Sequence, residues 1–161
     1  MNELEFKVNE YITLKLEYGK TNIYVKNKLF NQCKFLLLNI PVEIINRFDD
    51  IQSLDEAAEI LDKSMEGRSR KNILIPTEQE FWGHFSNLQA WAEFNYDTRL
   101  LHSNLSFPLL KELTKAGEPK AKKIFKEEIA QRFIEGKITL KLYLVKEKYL
   151  NYLNKEELII I

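Results

Sequence analysis

Cysteine is almost missing from this chain. Cys33 stands alone, which excludes an internal disulfide framework and any zinc site built on cysteine pairs, and fits a reducing compartment. Glycine is scarce as well. Its five residues are scattered singly, so there is no glycine-rich loop to cradle a phosphate, and a nucleotide-binding fold is disfavoured. No apolar run approaches the roughly 18 residues of a membrane span. The longest, "FLLLNIPV", has the length of a buried strand. "MNELEFKVNE" lacks the basic start and apolar stretch of a signal peptide, so the expectation is a cytoplasmic protein without membrane association. Net charge is missing too: 24 Lys and Arg balance 24 Asp and Glu, which disfavours a dedicated nucleic-acid binder.

What remains describes a globular fold. An apolar share of 45% with 30% charged residues argues against disorder. A chain of this length buries about two thirds of its unfolded surface and needs neither disulfide nor metal to hold it. The expected organisation is one domain over 1–161, β-rich over 1–40 and helical over 41–161. The fold class is α+β, a small N-terminal antiparallel hairpin or sheet packed on a mainly helical bundle.

The patterns behind that expectation are local. Ile12, Leu14 and Leu16 alternate with Thr13, Lys15 and Glu17, the period of a half-buried strand. "YGKT" turns the chain, with Gly19 where positive φ is needed, and "KNK" turns it again. "CKFLLLNI" reads as a buried strand or short helix that Pro41 ends. Ser53 with Glu56, and Thr77 with Glu80 behind Pro76, have the spacing of helix capping boxes. "EGRSRKN" between them is a polar loop and "ILIP" a short extended piece. The helix after Pro76 places Phe81, His84, Phe85, Leu88, Trp91 and Ala92 on one apolar stripe and stops near Asn95. Asp97 is placed to cap a helix through "TRLLHSNL", and Ser106 with Pro108 to start another that Gly117 stops. Pro119 opens a further helix, with Ala121, Ile124, Phe125, Ile129 and Phe133 inward and Gly136 as terminator. The final stretch alternates like a strand at first, but Leu142, Val145, Tyr149, Tyr152 and Leu153 have helical spacing, and helix is the expectation. Pairs of antiparallel helices after residue 76 suggest HEAT- or armadillo-like units, although no sequence period supports a solenoid.

The strings "NEYITLKLEYGKTNIYVKNKLFNQCKFLLLNIP", "EFWGHFSNLQAWAEFNYDTRLLHSNLSFPLLKELTKAG" and "AKKIFKEEIAQRF" resemble an uncharacterised archaeal protein family over nearly the whole chain. The resemblance implies a module often found at the N-terminus of longer proteins, sometimes preceding leucine-rich repeats, and no known activity. It also implies that family members often carry cysteine where this chain has Phe85, a replacement that fits packing better than reactivity. The apolar ending "NKEELIII" fits either a docked terminal segment or continuation into another module.

Three sets of residues are candidates for function. The leading expectation is a non-enzymatic protein-interaction or scaffolding module, without cofactor or metal, whose protein partner meets Trp82, Gln89, Glu93 and Tyr96 along the flank of the aromatic helix; tryptophan and tyrosine dominate such surfaces. The alternative is a small metal-dependent or acid–base hydrolase using Glu80, His84, Asp97 and His102. Glu80 and His84 are four apart and Asp97 and His102 five apart, but no HExxH-type pair supports a zinc site. In the structural reading, His84 packs on the stripe and bonds Asn87 or Asp97. Serines 86, 103 and 106 lie near the histidines but in no GxSxG-like turn, and Cys33 has the setting of an inert thiol. The third possibility is weak nucleic-acid or anion binding through Lys122, Lys123 and Lys126 on a basic helix. The stretch from Lys115 to Lys148 carries ten basic and five acidic residues, but Glu127 and Glu128 dilute the patch and no aromatic interleaves it. The oligomeric state has no signature.

Overall fold

The computed structural model describes residues 3–31, 50–53, 55–59 and 75–161. Cys33, the apolar run at 33–40, Pro41 and the polar loop at 66–72 lie outside the described residues. The fold is α+β, with a four-stranded antiparallel sheet followed by helices.

The sheet is a simple meander in which β1 (Leu4–Lys7), β2 (Ile12–Glu17), β3 (Lys20–Val25) and β4 (Lys28–Leu29) pair in chain order. The alternation in β2 does what its period demands: Ile12, Leu14 and Leu16 are buried, with Ile23 and Val25 of β3 beside them. Both tight hairpins use two-residue loops. Glu17 pairs with Lys20 across Tyr18 and Gly19, whose φ values are 50° and 75°. Val25 pairs with Lys28 across Lys26 and Asn27, at 47° and 65°. Positive φ at both loop residues matches the right-handed twist of the flanking strands. The β1–β2 connection turns on Asn9, whose side-chain oxygen accepts from the amides of Tyr11 (2.8 Å) and Ile12 (2.9 Å).

Ser53 begins a helical stretch at 55–59, where its hydroxyl accepts from the Glu56 amide at 3.2 Å and Glu56 Oε2 accepts from the Gln52 amide. The aromatic helix α1 (Thr77–Glu93) starts differently from expectation. Pro76 occupies the cap position and no side-chain cap bond forms, because Thr77 is already helical and Glu80 turns its carboxylate to His84. The stripe is as expected in its essentials: Phe81, His84, Leu88 and Trp91 are buried, and β2 and β3 pack on this helix. Its end is made by two successive left-handed residues, Asn95 (φ 55°) and Tyr96 (φ 59°), with the Tyr96 amide donating to the Trp91 carbonyl at 2.8 Å.

The next segment is a correction. Asp97 caps no helix through "TRLL"; its carboxylate accepts from the Arg99 amide at 3.0 Å in a local turn. One helix, α2 (Ser103–Lys115), then runs straight through Ser106, with Pro108 inside it. Pro108 has no amide to give the carbonyl four residues back, but the apolar side of α2, Leu105, Leu109, Leu110 and Leu113, is fully buried and holds the helix together.

By compactness the chain falls into two units, Met1–Leu109 and Leu110–Ile161, with the division inside α2. The second unit holds α3 (Pro119–Glu135), α4 (Ile138–Lys146), a single 3₁₀ turn (Tyr149–Tyr152) and α5 (Lys155–Ile160). Gly117 (φ 91°) stops α2, and Pro119 opens α3 at the position where a missing amide costs nothing. Ala121, Phe125, Ile129, Leu144 and Tyr149 are buried on these elements, as is Leu153 just after the 3₁₀ turn. The ambiguous C-terminal stretch is helical, as expected, and Ile159 and Ile160 are exposed on α5. Helices of 17, 13, 17, 9 and 6 residues give no regular repeat, so the HEAT-like description gains nothing from their lengths. Among the described residues no helix is long and apolar enough to cross a membrane.

Candidate functional site

The ring-rich helix α1 has two aromatic groups with opposite fates. The inner one is Trp91, fully buried, with its ring centroid 4.8 Å from that of Tyr96 in an edge-on arrangement. Tyr96 is only 2% exposed, and its hydroxyl accepts from Asn9 Nδ2 at 3.1 Å. This corrects the expected partner surface: Tyr96 faces inward because the left-handed turn at the helix end swings it back over Trp91. It ties the β1–β2 turn to the C-terminal end of α1.

The outer group is a ledge. Phe6 lies on the edge strand β1 with its ring 4.7 Å from Trp82, 5.6 Å from Phe85 and 6.3 Å from Phe81. Trp82 in turn meets Phe81 at 5.4 Å and Phe85 at 5.9 Å, both nearly edge-to-face. These are the geometries that aromatic quadrupoles favour. Yet Phe6 remains 39% exposed and Trp82 36%, because the sheet ends at β1 among the described residues and nothing there closes over the rings. Gln89 and Glu93 continue the same flank of α1, joined by a 2.9 Å hydrogen bond. Residues 82, 86, 89 and 93 are spaced along one helical face.

The four residues of the hydrolase alternative are sorted into separate pairings. His84 is buried and its Nε2 is 3.3 Å from Glu80 Oε1. An ionised carboxylate only accepts, so Nε2 carries the proton. Burial pulls the His84 pKa below the ordinary 6.5, partly offset by the Glu80 hydrogen bond and charge. Asp97 is held by Arg99, with Nη2 2.6 Å from Oδ2 and Nε 3.0 Å from Oδ1, and these bonds lower its pKa. His102 faces Asp55, Nε2 to Oδ1 at 3.2 Å, while its Nδ1 accepts from the Asn104 amide. Among the described residues no three His, Cys, Asp or Glu side chains are grouped so as to hold a metal ion. Asp55, the partner of His102, lies 47 positions away in sequence and sits in a segment that sequence reading treated only as helix; no local signal could have found it.

In the second unit, Lys122 and Lys123 are exposed, as a basic face requires. Lys126 is not available in the same way. Its Nζ lies 3.0 Å from both carboxylate oxygens of Glu157, tying α3 to α5. The Asn154 backbone amide and Lys126 together hold the Glu157 carboxyl below its ordinary range.

A cavity of about 390 Å³ lies beside the ledge, lined by Glu3, Leu4, Leu16, Tyr18, Gly19, Thr77 and Glu78. Sequence reading missed it, since Glu3 and Tyr18 are ordinary surface residues until the hairpin folds back to the start of α1. Comparison with protein-family models, with curated proteins and with solved structures finds no match to this chain.

Proposed function

We propose that this chain is a cytoplasmic, non-enzymatic protein-interaction module whose recognition surface is the aromatic ledge of Phe6, Trp82 and Phe85, flanked by Gln89 and Glu93. One observation carries the reading: two large rings, on different elements and in mutual contact, stay more than a third exposed beside β1, the edge of the sheet among the described residues. Exposed aromatic anchors with a polar flank are what protein interfaces concentrate, and they cost a free protein solubility unless a partner uses them. The pairing of each candidate acid, base and imidazole with a local neighbour supports the same reading, because every such group has a structural use.

The test is position-dependent photo-crosslinking in the full chain. A photoreactive side chain at position 89 is expected to give a discrete covalent adduct with a protein partner, whereas one at Lys123 gives none. Trp82→Ala added to the position-89 probe should remove the adduct while circular dichroism still shows the fold. Equal labelling at positions 89 and 123, or an adduct indifferent to Trp82, contradicts the proposal.

A further inference from the structure

The cavity and the ledge are built by the same two elements, β1 and α1, and together outline a groove along them. On β1, Leu4 and Phe6 are two residues apart and so point to the same face of the strand. Leu4 lines the cavity and Phe6 builds the ledge. On α1, Glu78 lines the cavity, and Trp82 and Phe85 follow one and two turns later. Strand and helix therefore advance together, from cavity to ledge, by roughly 6 Å, the length of two strand residues or about one helical turn.

The two ends of the groove differ in chemistry. The ledge is apolar. The cavity is lined by apolar Leu4 and Leu16, by two acidic residues, Glu3 and Glu78, and by Thr77, Tyr18 and Gly19; among the described residues no basic one lines it. The N-terminal end of α1 contributes about half a positive charge, less than the two carboxylates supply. The cavity thus selects a cation with an aliphatic stem. Tyr18 adds a second indication. Its side chain is 93% exposed, and it occupies a left-handed hairpin position that asparagine fills at lower cost. An exposed ring there contributes little to the fold, but its face is available to a guanidinium or ammonium group.

We infer that the groove takes an extended peptide segment of a partner protein, with an arginine or lysine side chain in the Glu3–Glu78 cavity and an apolar or aromatic side chain two residues away on the Phe6–Trp82 ledge. The spacing is that of alternate side chains in an extended strand, about 6.6 Å. This inference rests on the interaction reading above and adds the partner's chemistry.

Calorimetric titration of the full chain with the acetylated peptide Gly-Arg-Ser-Phe-Gly amide, at about 0.05 M salt to limit screening, tests it. Binding is expected to be at least about tenfold tighter than for the analogues with Glu in place of Arg or Ser in place of Phe, roughly the worth of one good contact. The Glu3→Gln/Glu78→Gln double variant should weaken the Arg peptide several-fold and leave unchanged a third analogue, with neutral Ser in place of Arg. Tyr18→Asn should weaken binding while raising the melting temperature, a combination that a merely structural role does not give. Equal binding of the Arg and Glu peptides overturns the cation assignment but leaves the ledge standing, if that binding still depends on Trp82. Absence of binding by any of these peptides overturns the groove inference as a whole, and crosslinking from position 89 then decides the interaction reading separately.

Discussion

Tyr96→Phe removes one oxygen and isolates the tie between the sheet and the end of α1. In the native chain that oxygen accepts from Asn9 Nδ2 at 3.1 Å, while the Asn9 oxygen independently holds the amides of Tyr11 and Ile12. The variant keeps the ring against Trp91 and the turn at Asn9, so it loses one hydrogen bond of partly buried character. A net loss of about 1 kcal/mol follows, within the range of 0.5 to 1.5 that such bonds contribute. Tyr96→Ala also loses a ring that is 2% exposed and stacked edge-on at 4.8 Å, and should cost about 3–5 kcal/mol. Urea unfolding followed by tryptophan fluorescence is the assay, because Trp82 and Trp91 both lie in the first unit. Asn9→Ser withdraws the amide donor and keeps a short side-chain oxygen for the turn, so the double-mutant cycle with Tyr96→Phe should show a coupling near 1 kcal/mol. A Tyr96→Phe variant as stable as the parent, or a coupling of zero, refutes the Tyr96–Asn9 tie, and a Tyr96→Ala variant that loses little stability refutes the burial of the ring.

Burial lowers the His84 pKa, so the folded state resists a proton that the unfolded state accepts. The contribution is complete above the ordinary 6.5 and is lost as pH falls below that value toward the lowered one; His84→Gln should flatten this acid-side decline in unfolding free energy measured across pH 5 to 7.5. Gly136→Ala should destabilise the second unit by about 1–3 kcal/mol, against the usual gain from replacing glycine, since its Cβ would meet the Arg132 carbonyl oxygen and come 2.8 Å from Leu140 Cδ2. A thermal melt followed by circular dichroism reads this directly, and an unchanged or raised midpoint contradicts the close approach.

Local patterns carried much of the fold. The alternation in β2, the Tyr18–Gly19 turn and the stripe on α1 depend on neighbours a few residues away, and each stands as the sequence suggests. The helical C-terminal stretch follows from the same spacing rule. Where the reading missed, tertiary partners decided. Glu80 had capping-box spacing but serves His84, and Lys126 had an exposed helical position but is held by Glu157, 31 residues on. Pro108 read as a helix start, yet buried leucines on both sides carry α2 through it. Tyr96 had the composition of a surface aromatic, and only the left-handed turn at Asn95 and Tyr96 directs it inward. The ledge was half legible. Trp82 stood out beside the stripe, but Phe6 acquires meaning only when β1 pairs with β2 and brings it to α1.

The two tryptophans of α1 have different surroundings, Trp91 enclosed and Trp82 more than a third exposed beside β1. Acrylamide quenching of two single-tryptophan variants measures this. Trp91→Phe leaves Trp82 as reporter, and Trp82→Phe leaves Trp91. Quenching should be several-fold stronger for Trp82, at 36% exposure, than for Trp91, at 0%. Comparable quenching of the two, or stronger quenching of Trp91, would contradict the division between buried core and exposed ledge.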